Sequence, residues 1–235
     1  MVQVVDGWRL RFTPGVRARR SSSVLPLAGR DEVPLADRIA LVHEFYARWG
    51  GTVRYQISPA ARPPDLDAVL AELGFQVEAP VHVQTAALDD VLDRTAGPAP
   101  AAVLVEEEID DRWLATTNEL FQRSDAGTMR QRILERIAPA TGFALLELEG
   151  VPAAVGMGVV ERGWLGIYSM GTSPQYRSRG AATAVLHALA RWAREREASN
   201  AYLQVEVENE PAHRLYARMG FETAYRYHYR TRELE

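Results

Sequence analysis

Apolar residues recur at two spacings along this chain. Ile39, Val42, Phe45, Tyr46 and Trp49 fall three or four residues apart, as one face of a helix requires, and so do Leu66, Val69, Leu70 and Leu73. Around residues 8–12, 52–58 and 76–87 apolar and polar positions alternate instead, as in a half-buried strand. The first third therefore predicts strands over 8–12 and 18–27 and a helix that begins at 31–34 and stops at Gly50-Gly51. A strand over 52–58, a helix over 66–73 ended by Gly74, and a strand over 76–87 follow. A short helical turn over 88–96 leads into Gly97, Pro98 and Pro100, the strongest linker signal in the chain. Beyond it the pattern predicts a strand over 101–109 and a helix capped by Asp110 or Asp111 that runs to 121. A polar break at 122–128 separates it from a helix over 129–138, and a turn at 139–142 follows. Strands over 143–148 and 151–160 form a hairpin across Glu149-Gly150, followed by a strand over 164–172. Gly156 and Gly158 either weaken the second hairpin strand or mark a close approach by another group. A helix over 181–197, a strand over 201–207, a helix over 211–219 and a last strand carrying Tyr225, Tyr227 and Tyr229 complete the pattern.

The order of elements in the first third returns later, and Ala-Glu-Leu-Gly-Phe at 71–75 lines up with Ala-Arg-Met-Gly-Phe at 217–221. This predicts an internal duplication. The expected fold is α/β (α+β): a mixed sheet flanked by helices, in two tandem copies with the first truncated. The expected domains are 1–96 and 101–235, joined by the linker 97–100.

Composition narrows the chemistry. A chain of 235 residues, 47% hydrophobic and 25% charged, is ordinary for a globular protein, and its net charge of −4 implies no general affinity for nucleic acid. It has no cysteine, which excludes disulfides, thiolate catalysis and thiolate metal sites. No apolar run approaches a membrane span, and the N-terminus lacks a signal-peptide pattern, so the expected location is the cytoplasm, with no membrane partner. None of His43, His82, His187, His213 and His228 pairs with another at metal-ligand spacing, so no metal is expected.

The informative stretch is 166–221. Arg177-Ser178-Arg179-Gly180-Ala181-Ala182 joins a strand to the first turn of a helix, where unpartnered N–H groups and the helix dipole favour an anion. Arg177 and Arg179 add charge. A phosphate-binding NTPase is excluded, because no Lys-Ser/Thr follows the turn. Arg177-x-x-Gly180-x-Ala182, then Asn209, then Ala212-x-x-Leu215-Tyr216-x-x-x-Gly220-Phe221 resembles the GNAT superfamily of N-acetyltransferases. The resemblance is specific over 142–221. Ala182 stands where Gly is commoner, and Ala181 where a larger aliphatic is usual.

The resemblance implies a mixed sheet with two neighbouring parallel strands that splay apart to admit acetyl-CoA. It implies that Arg177, Ser178, Arg179, Gly180, Ala181 and Ala182 bind the pyrophosphate. Backbone groups of Met170, Gly171 and Thr172 would line the pantetheine arm, and the Met170 N–H would polarise the acetyl carbonyl. Asn209 would hold the arm or cap the following helix, and Tyr216 would protonate the departing thiolate. A base must take the amine's proton. Glu206 is the choice, against a solvated strand face, with Tyr168, Glu161 and Asp125 also open. Trp113, Phe121, Arg123 and Asp125 border the region that shapes the acceptor pocket in this family, and core packing is the expectation for Trp113. Tyr225, Tyr227 and Tyr229 line either the acceptor site or the boundary with the N-terminal half.

The first copy lacks these features, with Leu70 at the Tyr216 position and Pro63 at the Asn209 position, and is expected to be degenerate and structural. The expected activity is acetyl-CoA-dependent transfer to a primary amine, either a small molecule or a protein N-terminus. The competing expectation is a non-catalytic acyl-CoA-binding or regulatory module. Thiol release with and without amines separates the two.

Overall fold

The computed structural model describes residues 1–16, 18–122 and 127–234. It divides into two compact units. Met1–His82, Glu206–Glu208 and Tyr225–Glu235 form the first, and Val83–Val205 with Asn209–Ala224 form the second. The Gly97–Pro100 segment lies within the second unit.

In the first unit, β1 (Val2–Val5), β2 (Trp8–Arg11), β3 (Val24–Pro26) and β4 (Val53–Ile57) are followed in the sheet by β11 (Glu222–Arg232) and β5 (Gln76–Ala87). β1 and β2 are antiparallel, as are β2 and β3, while β3 runs parallel to β4 and β4 antiparallel to β11. Helix α1 (Leu35–Ala47) links the parallel pair and α2 (Leu66–Glu72) follows β4. Trp8, Leu10, Val24, Tyr55 and Ile57 from the strands pack against Val42, Phe45, Tyr46, Leu66 and Leu70 from the helices in one core. The burial of alternate residues of β4 matches the alternation in the sequence.

Two expectations for this unit change. Val2–Val5 is a strand that the pattern did not signal. Of the strand expected over 18–27, only Val24–Pro26 forms, and Arg19–Ser21 is a 3-10 turn. The serines explain it. Ser21 Oγ donates to the Ala18 carbonyl at 2.8 Å and Ser22 Oγ accepts the Thr13 N–H at 3.1 Å, so side chains take backbone groups that a ladder would use.

Glu78 anchors the other face of this sheet. Its carboxylate accepts from Arg19 Nε at 2.7 Å, Thr231 Oγ1 at 2.8 Å and Arg54 Nε at 3.1 Å. Burial raises its pKa, but the bonds from Arg19, Thr231 and Arg54 prevail and hold it at about 2, against an ordinary 4.5. A depressed carboxylate contributes stability that is complete above its unfolded pKa and lost as pH falls through the folded one. The first unit should therefore lose about 2–3 kcal/mol between pH 4.5 and 2 from this group. Urea melts of Glu78→Gln against pH should lack that part of the decline; an unchanged acid limb would rule the contribution out.

In the second unit the order is β5, β10 (Asn200–Glu206), β9 (Trp164–Thr172), β8 (Val151–Glu161), β7 (Ala140–Leu148) and β6 (Val103–Glu106). β7–β8 and β8–β9 are antiparallel and β9–β10 parallel. Helix α6 (Ala181–Arg194) links the parallel pair and α7 (Glu210–Arg218) follows β10, while α3 (Leu88–Thr95), α4 (Asp111–Leu120) and α5 (Gly127–Leu134) complete the unit. The connections repeat those of the first unit, and so do the helix ends. Gly74 has φ +83 and Gly220 φ +90. Phe75 N–H bonds to the Leu70 carbonyl at 2.9 Å and Phe221 N–H to the Tyr216 carbonyl at 3.0 Å. Both are Schellman caps, which is why a Gly-Phe pair stands at each.

Gly156 and Gly158 mark a close approach, and Gly142, expected in a turn over 139–142, joins them because β7 already begins at Ala140 and pairs Gly142 with Gly158. A methyl on Gly142 would lie 3.0 Å from the Trp192 ring, one on Gly156 2.7 Å from Val185, and one on Gly158 3.2 Å from Leu189. The three strip one sheet face of side chains so that α6 can pack close to it.

Candidate functional site

In the second unit the sheet is interrupted between β9 and β10. β9 pairs with β10 only from Trp164 and Asn200 to Ile167 and Leu203, although both strands continue. Beyond Leu203 the parallel partners separate. On the other side of β9, Val155 opposes Gly171 and Met157 opposes Tyr168, so Ser169 and Met170 together face Gly156. This is a β-bulge, and Ser169 takes the left-handed conformation (φ +50) that lets the chain turn there. The bulge disturbs the ladder at Gly156. Its carbonyl instead accepts from the indole Nε1 of Trp113 at 3.0 Å. Trp113 is 1% exposed and packs edge-to-face on Phe143, so the expected core role holds and a buried hydrogen bond adds to it.

The bulge carries Met170 toward α6, and Gly171 lies under Leu120 and Phe121 at the end of α4. Thr172 pairs with Ala154, and the Ser173 N–H donates to the Ala153 carbonyl at 2.9 Å, which ties the end of β9 to β8. One 3-10 turn, Pro174–Tyr176, buries Tyr176 and delivers the chain to the turn at 177–180. Ser178 (φ +61) and Gly180 (φ +80) are both left-handed, and α6 begins with no side chain capping it. Arg177, Ser178, Arg179 and Gly180 are exposed, while Ala181 is 2% exposed and sits in the core with Tyr176, Ala184 and Val185. A methyl on Gly180 would find only Pro100 Cδ, at 3.9 Å. The helix end is thus open, polar and positive, which suits a diphosphate. Arg179 stacks on Tyr176 at 5.5 Å and pairs with Glu149 at 3.5 Å.

On α7, Asn209 Oδ1 accepts the Ala212 N–H at 3.2 Å and caps the helix. Tyr216 is 7% exposed and packs edge-to-face on Phe221, 5.7 Å between centroids. It shares a core with Leu165, Ile167, Leu203 and Val205, the apolar face of the two strands that separate. Burial pushes its pKa up to about 12. Gly166, Tyr168, Tyr202 and Gln204 alternate to the opposite face. There the Tyr168 and Tyr202 hydroxyls lie 2.5 Å apart. Arg130 of α5 reaches the bulge, 3.5 Å from Ser169 Oγ, donates to Asn118 Oδ1 at 3.1 Å, and lies over the Trp113 ring.

The structure therefore gathers Met170, Gly171, Thr172, Arg177–Ala182, Asn209 and Tyr216 in one unit. Glu206 belongs to the other unit, where its exposed carboxylate accepts from Arg19 at 3.0 Å. Tyr227 and Tyr229 are also in the first unit, 5% and 2% exposed and packed edge-to-face, while Tyr225 is exposed. Glu161 pairs with Trp164 at the end of β9 opposite the bulge. Arg123 and Asp125 lie outside the described residues. Tyr202, Ser169 and Arg130 were not singled out from the sequence. Tyr202 shares the alternation that exposed Glu206, but nothing local marks a bulge. Among the described residues no three His, Asp or Glu side chains are grouped to hold a metal ion, and no helix is long and apolar enough to cross a membrane. A cavity of about 460 Å³ beside α5 and the start of β7, lined by Ile109, Leu134, Ile137 and Phe143, contains none of the expected site residues.

A protein-family model described as "Probable histone acetyltransferase Rv0428c C-terminal" matches residues 2–230. The uncharacterized N-acetyltransferase YobR of Bacillus subtilis (strain 168) is 29% identical over 231 residues, 96% of this chain and 90% of that protein. Among solved structures, a GCN5-related N-acetyltransferase from Kribbella flavida superposes with a TM-score of 0.75 at 16% identity, over 100% of this chain and 90% of that one. A tandem GNAT protein from the clavulanic acid biosynthesis pathway gives 0.68 at 18% identity, over 90% and 75%. The bulged strand, the parting parallel pair and the open helix end thus sit in a GNAT fold, and the chain belongs to the family described as the C-terminal part of the probable histone acetyltransferase Rv0428c.

Proposed function

We propose that this protein is an N-acetyltransferase that moves the acetyl group of acetyl-CoA directly to a primary amine. The observation that carries the reading is the parting of β9 and β10 beyond Ile167 and Leu203, between a bulge on one side and an open α6 N-terminus beyond it. In this reading the turn Arg177–Ala182 seats the diphosphate and the backbone of Met170–Thr172 lines the pantetheine arm. Asn209 orders the start of α7, and Tyr216, held protonated by its burial, donates to the leaving sulfur. The acceptor approaches from the face that carries Tyr168, Tyr202 and Arg130. Purified protein should release thiol from acetyl-CoA only when an amine from a mixed library is present, with an acetylated product seen by mass spectrometry. Release that no amine accelerates would defeat the proposal.

One observation favours the second reading, a non-catalytic acyl-CoA-binding or regulatory module. The carboxylate expected to act as base, Glu206, is already engaged by Arg19. Under that reading acetyl-CoA binds and no amine is acetylated.

We also read the chain as a duplication with its sequence copies at 1–96 and 101–235. The repeated connections and the paired Schellman caps support this. The first copy has lost the phenol and the amide and serves as framework.

Glu149 modulates the seat. It is exposed and 3.5 Å from Arg179. Glu149→Gln should tighten acetyl-CoA binding by about two- to fivefold at low salt, the scale of one exposed ion pair. Calorimetry at two salt concentrations checks this, and equal affinity in both proteins at low salt would refute it.

A further inference from the structure

We propose that the first unit contains a phosphate-type anion seat of its own, and that the carboxylate of Asp6 fills it, so that this unit takes a diphosphate only when Asp6 is removed. The inference goes beyond the transferase reading and needs no catalytic activity.

Helix α1 occupies the place in the first unit that α6 occupies in the second, between the two parallel strands. The segment before it, 28–33, lacks the Arg-x-x-Gly turn but still gathers N–H groups. Asp6 Oδ1 accepts the Arg30 N–H at 2.7 Å and Oδ2 the Val33 N–H at 3.1 Å. The N–H groups of Val33, Arg30 and Asp31 and the charge of Arg38 together outweigh the cost of burial and lower the Asp6 pKa. Converging backbone N–H groups ahead of a helix are an anion-binding nest. Asp31 is left-handed (φ +57), and a methyl on Gly29 would lie 2.3 Å from Asp6 Oδ1, so the loop is closed tightly around the carboxylate.

A second observation points to a larger anion. Arg38, in the first turn of α1, is 5% exposed and lies over the Trp8 ring at 5.3 Å. Its Nη2 is 3.3 Å from Asp31, whereas Nη1 is 4.0 Å from Asp6 Oδ2, too far for a hydrogen bond. Among the described residues Nε and Nη1 have no hydrogen-bond partner. A buried guanidinium with donors to spare at a nest holding one carboxylate is more donor capacity than that carboxylate uses.

The second unit shows the alternative. Asp6-Gly7 joins β1 to β2 with φ +41 and +84, and Glu149-Gly150 joins β7 to β8 with φ +57 and +77. An acidic residue thus opens the same turn in both units. Asp6 is 4% exposed in its side chain and inserted in the nest; Glu149 is 72% exposed and pairs with the rim arginine Arg179.

The test is a titration of the ¹⁵N-labelled full chain with inorganic pyrophosphate, read at the amides of Arg30, Asp31 and Val33. Wild type should show no saturable shift there. Asp6→Gly, which keeps a residue suited to the turn, should bind at those amides at least about tenfold more tightly than wild type. A folded Asp6→Gly protein with no shift at those amides, or a wild type that shifts there, overturns the proposal. Asp6→Asn keeps the shape and loses the charge. Pyrophosphate should raise its melting temperature more than that of wild type, and equal increments would also overturn the proposal. The amides of Gly180–Ala182 report the other seat in the same spectra. Silence there in every protein would defeat the coenzyme reading without touching this one.

Discussion

Tyr216→Phe should lower turnover about 100-fold, the usual scale for losing a positioned general acid, while acetyl-CoA affinity stays within about twofold. The substitution is structurally conservative. The ring is 7% exposed and packs edge-to-face on Phe221, contacts that Phe reproduces. Only the hydroxyl is lost, so folding stability should barely change. The chemistry turns on protonation. With its pKa pushed up to about 12 by burial, the phenol carries its proton across the working range, and no basic limb below about pH 10 should trace to it. A phenol at 12 looks too weak an acid for a thiolate. The same dry surroundings raise the thiolate's basicity, however, so the two approach one another once both are in the cleft. Initial rates and equilibrium binding on the same preparations decide it. Turnover equal to wild type would remove Tyr216 from the mechanism.

Gly156→Val should destabilise the second unit by about 3 kcal/mol and lower the melting temperature by roughly 6–12 °C. A Cβ there would lie 2.7 Å from both Met170 Sδ and Val185 Cγ1 and 3.0 Å from Leu189 Cδ1. Methionine can swing away, but Val185 and Leu189 sit on α6, so the helix itself must lift. That movement would carry the anion seat at its N-terminus, and acetyl-CoA affinity should fall along with stability. Gly150→Ala is the control. It is left-handed (φ +77), as Gly156 is not, and has nothing within 4 Å, so only backbone strain of about 1–2 kcal/mol applies and the seat should be unaffected. Thermal melts and coenzyme titrations of both variants test the pair. If Gly156→Val melts with the control and binds normally, the glycine strip does not set the position of α6.

What could be read from the sequence was whatever local chemistry encodes. Helix faces, the Gly-Phe stops and the turn at 177–182 all leave short-range marks, and the corresponding elements appear in place. The bulge at Ser169–Met170 and the parting of β9 from β10 leave none, because register is a property of two strands and only one was in view. The strand expected over 18–27 failed for a local reason that alternation cannot register: three consecutive serines compete for backbone groups. The assignment of Glu206 rested on its place along a strand. The Arg19 beside it comes from a segment 187 positions earlier, which no spacing rule reaches.

The membership of β11 bears on how such a chain is made. Residues 225–235 complete the first unit next to β4, so that unit lacks a strand until residue 232 has left the ribosome. During synthesis β4 would present a bare row of amides and carbonyls, open to adventitious pairing. The first unit therefore cannot be completed until the second has been synthesised, and cutting the chain in two would leave the N-terminal piece with an unsated edge.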